Sequence, residues 1–580
     1  MKKMISVILS VQIVFCALAF CFHSSAALAP SIGRIEFSDD GYSYRFLDEN
    51  GKERENKPAP AKSRAAKSGG TLPSSYASYD ILPAVKNQGG TGSCWAFAAI
   101  TALEADAVAK GYMQKGEKVF SPSHLTWFTY TLPSLPGDPH LGEGLTSNSP
   151  YMAGGNWYFA ASTLSEWSGI ALLNDYMFFP YNQELMSNFS ESGRYDRGSG
   201  FVLDEAVHLN DENSIKSWIM EHGVCTAAIY YDSTYENRST HAYYMAQAID
   251  GINHNISLVG WDDDFPASSF VTTPSRNGAW LVMDSWGTGN HNRGFYWLSY
   301  DNPDFAYTVG YGVRESGDLF RNYSYNGAYT DGYIYLDGIT IPVSNVYTAQ
   351  GYEQITALSF WTVEDGDTVT LAVYKDLIGS QPDSGTYATG ITLTNLNAGY
   401  HTVDLINPVD VTPGSRFSVS AVIQNNQTTP SIIVEIDSED MTFTHSAGES
   451  FYYLNNTWND AEYSGLGNFF IQAFTKCSHP YEQVTVQPTC TQDGSVSDVC
   501  PQCGKIYAMT SIPATGHNYG GWSDYQESGS KVYKQRVCAN CGDIDEDFYY
   551  KGMNTITLEK LLRLIFTSVF DAFFRAFSKN

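Results

Sequence analysis

The stretch Asn87–Phe97, NQGGTGSCWAF, sets one cysteine between small residues and a tryptophan. Directly behind it, AFAAITALEADAVA (Ala96–Ala109) has the composition of a mostly buried helix. Cys94 therefore falls at a helix start, where the helix dipole favours the charged form of a thiol. A thiol attacks an acyl carbon only as thiolate, so this placement points to a nucleophile rather than a structural cysteine.

A nucleophile of this kind needs a base and a group that holds the base. His254 enters the strand-like run INHNISLVGW, and Asp284 closes the apolar run AWLVMDSWG. A carboxylate there would accept the imidazole proton and orient the ring, as the third member of a triad does. Trp286 would shield that hydrogen bond from water. Gln88, six residues before Cys94, offers a side-chain amide that would hold an oxyanion together with the Cys94 backbone N–H.

In this order, Gln-x5-Cys-Trp-Ala-Phe, then Asn-His, then Ser-Trp-Gly, the chain resembles the papain-like cysteine peptidases. SPSHLTWF at Ser121 resembles the family's Ser-Glu-Gln helix start, and AGGNW, with Gly154 and Gly155, resembles the glycine pair that binds substrate backbone. The resemblance covers about Leu72 to Val313 and implies Cys94, His254, Asp284 and Gln88 as catalytic residues. It implies Gly154, Gly155 and Trp286 as substrate-binding residues, and no cofactor for catalysis. The family usually has Asn where this chain has Asp284, and Thr91 replaces a cysteine that the family usually pairs in a disulfide. An aspartate stabilises the charged imidazole as well as orienting it, which predicts a retained thiolate–imidazolium pair with a shifted pH range. In the insertion after His254, Asp262, Asp263 and Asp264 read either as a solvated loop or as a calcium site.

Beyond this region, helical signals nearly vanish from about Arg321 to Lys476. Short alternating runs such as TVTLAVYK and RFSVSAVI are those of a β-sandwich. They resemble the lectin-like domain that follows papain-like peptidases in bacterial surface proteins. Trp361 and Trp458 read as core residues there, and Cys225, in an apolar β-like run of the peptidase region, reads as core as well.

The tail contains a repeat. His479, Cys500 and Cys503 recur 38 residues later as His517, Cys538 and Cys541, with C-x-x-C-G in both copies. Cys477, His479, Cys500 and Cys503 make up a possible structural zinc set, with Cys490 spare and the second copy one ligand short. Disulfide pairing of these cysteines, or neither, stays open.

The remaining chain bounds the setting. Lys2 and Lys3 precede an apolar run and a Ser/Ala cluster, the pattern of an export signal. The formal charge of -28 excludes a nucleic-acid partner, since phosphate binding needs basic patches. The C-terminal LEKLLRLIFTSVFDAFFRAF is amphipathic at helical spacing, which suits packing on the protein itself or attachment at a membrane interface.

The expected architecture is an α+β papain-like two-lobed peptidase domain, then an all-β lectin-like sandwich, then small Cys/His modules. Its segments are a signal peptide (1–27), a short propeptide or linker (28–71), the peptidase domain (72–318), the sandwich (319–476), two repeat modules (477–550) and an amphipathic helix (551–580). The expected function is that of a secreted or cell-surface cysteine endopeptidase. It would hydrolyse protein or peptide substrates through a Cys-His-Asp centre and an acyl-thioester intermediate. The alternative is a catalytically weak surface adhesin that binds through the sandwich and the tail.

Overall fold

The computed structural model describes residues 30–37, 44–47, 50–53, 72–178, 189–249, 251–327, 332–436 and 443–551. The expected export signal and nearly all of the C-terminal amphipathic segment lie outside the described residues. Two compact units divide the chain, 1–478 and 479–580.

In the first unit, α1 (Cys94–Ala109) is a central helix with buried side chains nearly all round. Its alanines allow close approach of neighbouring elements. Its two internal carboxylates are tolerated because each is paired. Glu104 accepts from Lys86 Nζ at 2.9 Å and from the Phe120 N–H at 3.0 Å. Asp106 Oδ1 lies 2.7 Å from His222 Nδ1, and its Oδ2 accepts the Val313 N–H at 2.6 Å. Around α1 pack α2 (Pro122–Thr129), α3 (Trp157–Ser165) and α4 (Glu212–His222). Ser121 caps α2 by accepting the His124 N–H, and Asn156 caps α3 by accepting from Tyr158 and Phe159.

The other side of α1 faces a sheet whose order is Cys225–Ile229, His254–Asp262, Ala279–Met283, Phe295–Ser299. His254 opens its strand and Asp284 follows the last residue of the antiparallel neighbour, so both side chains belong to one end of this sheet. Cys225 is fully buried in the core there, and burial pushes its thiol up.

This sheet does not stop at the expected boundary near 318. Strand Phe201–His208 pairs with Gly399–Val411, so the peptidase strands and the sandwich strands form one 13-stranded sheet. Trp361 lies within the shared core, its ring centroid 5.0 Å from Tyr158 and 6.0 Å from Trp157. Facing it, a six-stranded sheet including Asp367–Lys375 and Arg416–Gln424 completes an all-β layer pair. This is the mostly β region that the alternating runs predict.

The segment expected as a short propeptide or linker holds strands over its first part. Ser31–Phe37 and Tyr44–Leu47 are strands, and the former pairs with Gly332–Tyr335 of the lectin-like region. SIGRIEF carries the β-branched and apolar residues that such pairing uses, and they were outweighed in the sequence by the polar run after it.

The second unit consists of two three-stranded antiparallel sheets, Glu482–Val486/Gly494–Val499/Ile506–Ile512 and Gln526–Ser528/Lys531–Val537/Ile544–Tyr550. They follow the 38-residue repeat.

Candidate active site

Cys94 is the first residue of α1 and is 1% exposed. Ser93 stands at the cap position without capping the helix, because its Oγ pairs with Thr91 Oγ1 at 2.6 Å. The positive end of the helix is thus left to act on the thiol. The Asn255 N–H donates to Cys94 Sγ at 3.4 Å, which also favours a thiolate.

His254 is buried beside it and exchanges a side-chain hydrogen bond with Cys94. Its Nε2 lies 3.0 Å from Asp284 Oδ1, so Nδ1 is the nitrogen left for the thiol. The ring of Trp286 stacks on the imidazole, centroids 4.4 Å apart at 14°, and covers the His254–Asp284 pair. Burial lowers the basicity of His254, but the Asp284 carboxylate and then Cys94 outweigh it and raise its pKa to about 10. Burial likewise works against charge on Asp284, yet His254 and His291 hold its carboxyl well below the usual carboxylate range.

Gln88 is tied to the same end of the sheet. Its backbone N–H donates to Ser285 O at 2.7 Å, and its Oε1 accepts the Ser285 hydroxyl at 2.5 Å. Nε2 donates one hydrogen to Thr91 O at 2.8 Å and has a second to offer. Gly154 and Gly155 lie across from the start of α1. Gly155 has φ +138, and a Cβ there would meet the Trp95 ring at 2.4 Å, so only glycine fits. A Cβ on Gly92 would come within 3.1 Å of the Gly154 nitrogen, which shows how closely the two loops approach. An open depression lined by Asn87, Gly89, Gly287 and Asn290 lies against Trp286.

Three residues of this site, His291, Glu236 and Tyr231, were not singled out from the sequence. His291 places Nε2 3.1 Å from Asp284 Oδ2 and Nδ1 2.9 Å from Glu236 Oε1. Tyr231 donates to the other oxygen of Glu236 at 2.9 Å. Cys94, His254, Asp284, His291 and Glu236 thus form one hydrogen-bonded chain. The signal in the sequence was Asp284 itself. A second buried charge beside an imidazolium invites another cation, and His291 lies seven residues on.

The region that carries this arrangement is similar to known proteins. Residues 74–125 and 148–314 match the papain family cysteine protease, and residues 323–475 match the lectin like domain. The two matches fall on separate regions, each of them less than half of the chain. Gamete and mating-type specific protein A of Dictyostelium discoideum is 24% identical over 238 residues, covering 41% of this chain and 44% of that protein. Cathepsin F of Drosophila melanogaster is 24% identical over 222 residues, covering 37% of this chain and 31% of that protein. The chain thus spans less than half the length of these two curated relatives.

Among solved structures, the cysteine protease and lectin-like domains of Cwp84, a surface layer associated protein of Clostridium difficile, share the fold. The TM-score is 0.62 at 24% identity, over 77% of this chain and 98% of that one. A Cys-to-Ala form of clostridial Cwp84 after propeptide cleavage gives a TM-score of 0.59 at 26% identity, over 70% of this chain and 99% of that one. The papain-like domain followed by a mostly β lectin-like region is therefore the fold of this chain.

The other expected sites fare differently. Asp263 is engaged by Lys216 Nζ at 2.6 Å and by the Tyr300 hydroxyl at 2.8 Å, which accounts for one of the three acids in the insertion. Of the expected zinc set, Cys477 closes strand Ile471–Cys477 of the first unit, while His479, Cys500 and Cys503 belong to the second. Cys503 Sγ lies 3.3 Å from His479 Nδ1.

Proposed function

We propose that this chain is an exported cysteine endopeptidase that hydrolyses peptide bonds through Cys94, His254 and Asp284. The observation that carries the reading is the buried Cys94–His254–Asp284 chain at the start of α1, with Nε2 of His254 turned to Asp284. Cys94 thiolate attacks the peptide carbonyl carbon, and the carbonyl oxygen takes the charge. The second Nε2 hydrogen of Gln88 and the Cys94 N–H stabilise that oxyanion. Protonated His254 gives its proton to the leaving amine, and an acyl-thioester remains on Cys94. His254 then takes a proton from water, whose oxygen attacks the thioester and releases the acid and the thiol. Gly154 and Gly155 offer bare backbone beside the start of α1 for the extended substrate.

Export to the cell surface rests on the N-terminal sequence pattern and on the surface-layer association of Cwp84. No described helix is long and apolar enough to cross a membrane.

The test is alkylation of the purified chain with an epoxysuccinyl thiol reagent across roughly pH 4 to 9, a window that brackets an activated thiol. Mass spectrometry locates the label, and cleavage of internally quenched peptides is followed alongside. Fast labelling at Cys94 alone, lost in His254→Ala, together with internal cleavage, is the expected result. Labelling at Cys94 no faster than at the buried Cys225 would overturn it and leave a surface-binding role to the sandwich and tail.

A further inference from the structure

The second unit has almost no apolar core. Among its described residues the buried apolar and sulfur side chains are Cys490, Cys500, Cys538 and Val532. A unit this poor in buried hydrocarbon needs another staple to hold its sheets.

Its two copies are built alike. Each carries Cys-x-x-Cys-Gly in the turn between the second and third strands. Gly504 at φ +74 and Gly542 at φ +76 donate back to Cys500 O at 2.8 Å and Cys538 O at 2.9 Å. In both, the histidine Nδ1 lies 3.3 Å from the second cysteine of the turn, His479 to Cys503 and His517 to Cys541. The copies differ at one ligand position. Cys477 falls two residues before His479, whereas Thr515 stands two residues before His517.

The first copy fills that gap. The loop after its first strand runs beside the deficient position, where the Thr515 N–H donates to Thr489 O at 2.9 Å and the Gly516 N–H to Cys490 O at 3.1 Å. This brings Cys490 Sγ to 3.7 Å from Cys538 Sγ. The donor atoms of Cys490, His517, Cys538 and Cys541 all lie within 4.8 Å of one another.

We propose that Cys490, His517, Cys538 and Cys541 bind one thiophilic divalent cation, zinc by its chemistry, and that this ion ties the first repeat to the second. A sulfur–sulfur separation of 3.7 Å is far beyond the roughly 2.04 Å of a disulfide. It matches the edge of about 3.8 Å expected for a tetrahedron with metal–sulfur bonds of about 2.3 Å. Three thiols and one imidazole select zinc over calcium or magnesium, which take oxygen ligands. Binding releases the three thiol protons to solvent and uses the neutral Nδ1 of His517. The surroundings suit a bound thiolate and an oriented ring. The Asn518 N–H donates to Cys538 Sγ at 3.3 Å. Asp543 places a carboxylate oxygen 3.9 Å from His517 Nε2 and accepts the Tyr519 hydroxyl at 2.6 Å.

The experiment uses the full reduced chain carrying Cys94→Ser, which removes the peptidase thiol as a competing ligand. Metal content is measured by elemental analysis, and cobalt replacement is followed by its thiolate charge-transfer absorption. Cys503→Ser isolates the proposed site and Cys541→Ser disables it. Adding Cys490→Ser to Cys503→Ser should abolish the remaining metal and the cobalt band. Adding Cys490→Ser to Cys541→Ser should change neither. The reverse pattern would assign Cys490 to the first repeat's own ligands and overturn the proposal. So would a Cys490–Cys538 disulfide in the untreated chain, or a Cys503→Ser chain that binds no cobalt.

Discussion

His291 donates to Asp284 from the side opposite His254, with Nε2 3.1 Å from Oδ2 while His254 Nε2 lies 3.0 Å from Oδ1. One buried carboxylate thus serves two imidazoles, and the Ser285 N–H donates to Oδ1 at 2.6 Å as well. This is how the chain accommodates a buried carboxylate at this position.

The first prediction concerns that charge. The carboxylate keeps His254 protonated up to about 10, with Cys94 contributing, against the opposing effect of burial. In Asp284→Asn the amide oxygen still accepts the Nε2 hydrogen, but its charge is gone. The alkaline limb of kcat/KM should therefore move to lower pH. Near pH 6 the activity should change by less than about tenfold, since orientation is kept and one pKa unit equals about 1.4 kcal/mol. An alkaline limb that stays in place would show that residue 284 does not set it.

His291 itself should act as a positioning residue. His291→Ala leaves one side of a buried carboxylate unpaired, a cost of about 1–3 kcal/mol in stability. It should lower kcat with little change in KM, because substrate contacts are untouched. The sign with pH follows from the shifts. Burial lowers His291, but hydrogen bonds and charge from Asp284 and Glu236 outweigh it and raise its pKa. Its contribution is full below its ordinary value of 6.5 and is lost as pH rises through the raised one. Asp284 is shifted down, so its contribution is present above its ordinary 3.8 and is lost as pH falls through the lowered value. The melting-temperature gap between wild type and His291→Ala should be widest between these two values and shrink above pH 6.5. A gap independent of pH would point to packing alone.

Much of this site was legible in the sequence because its residues sit on strong local signals. Cys94 marks a helix start, and His254 and Asp284 mark strand ends. Local pattern carried no information about His291, which lies at φ +49 in the loop after Gly289 and meets Asp284 through tertiary folding. The sandwich was legible from its alternation, but the joint between the two regions was not. That joint depends on Gly399–His401 finding Glu205–Val207, a pairing that no local period encodes. Cys490 appeared spare for the same reason, since the repeat pattern assigns each ligand to its own copy.

A third prediction follows from that joint. Gly399 has φ +139, and a Cβ there would meet Ala206 O at 2.1 Å, so Gly399→Ala should part the two strands. Trp361→Ala should cost about 3–5 kcal/mol by emptying the shared core against Trp157 and Tyr158. With wild type, chemical denaturation followed by peptidase activity and by total fluorescence should give coincident transitions. With either variant, early loss of the lectin-like region's protection in hydrogen exchange, spreading to Phe201–His208, is expected. Protection confined to one side of the joint would show that the regions fold independently.

The fourth prediction concerns the N-terminal strands. Ser31, Ile32, Gly33 and Arg34 pair antiparallel with Tyr335, Ile334, Tyr333 and Gly332, and Phe37 closes the pairing to Tyr44. The Tyr333 hydroxyl also donates to Leu47 O at 2.8 Å, a second link from the lectin-like region to this segment. Residues 54–71 include Arg54, Lys62, Arg64 and Lys67, none followed by proline, so trypsin has sites after the second strand. A chain nicked there should keep the fragment bearing Ser31–Leu47 attached through its ladder hydrogen bonds, each worth about 1 kcal/mol net. Native size-exclusion chromatography followed by mass spectrometry should find both pieces in one peak, and only denaturant should separate them. Because the strand's partner is Gly332–Tyr335 and not a strand bearing His254 or Asp284, release of the fragment should lower the stability of the lectin-like region. Its release under native conditions with unchanged melting would show that the pairing does not hold it.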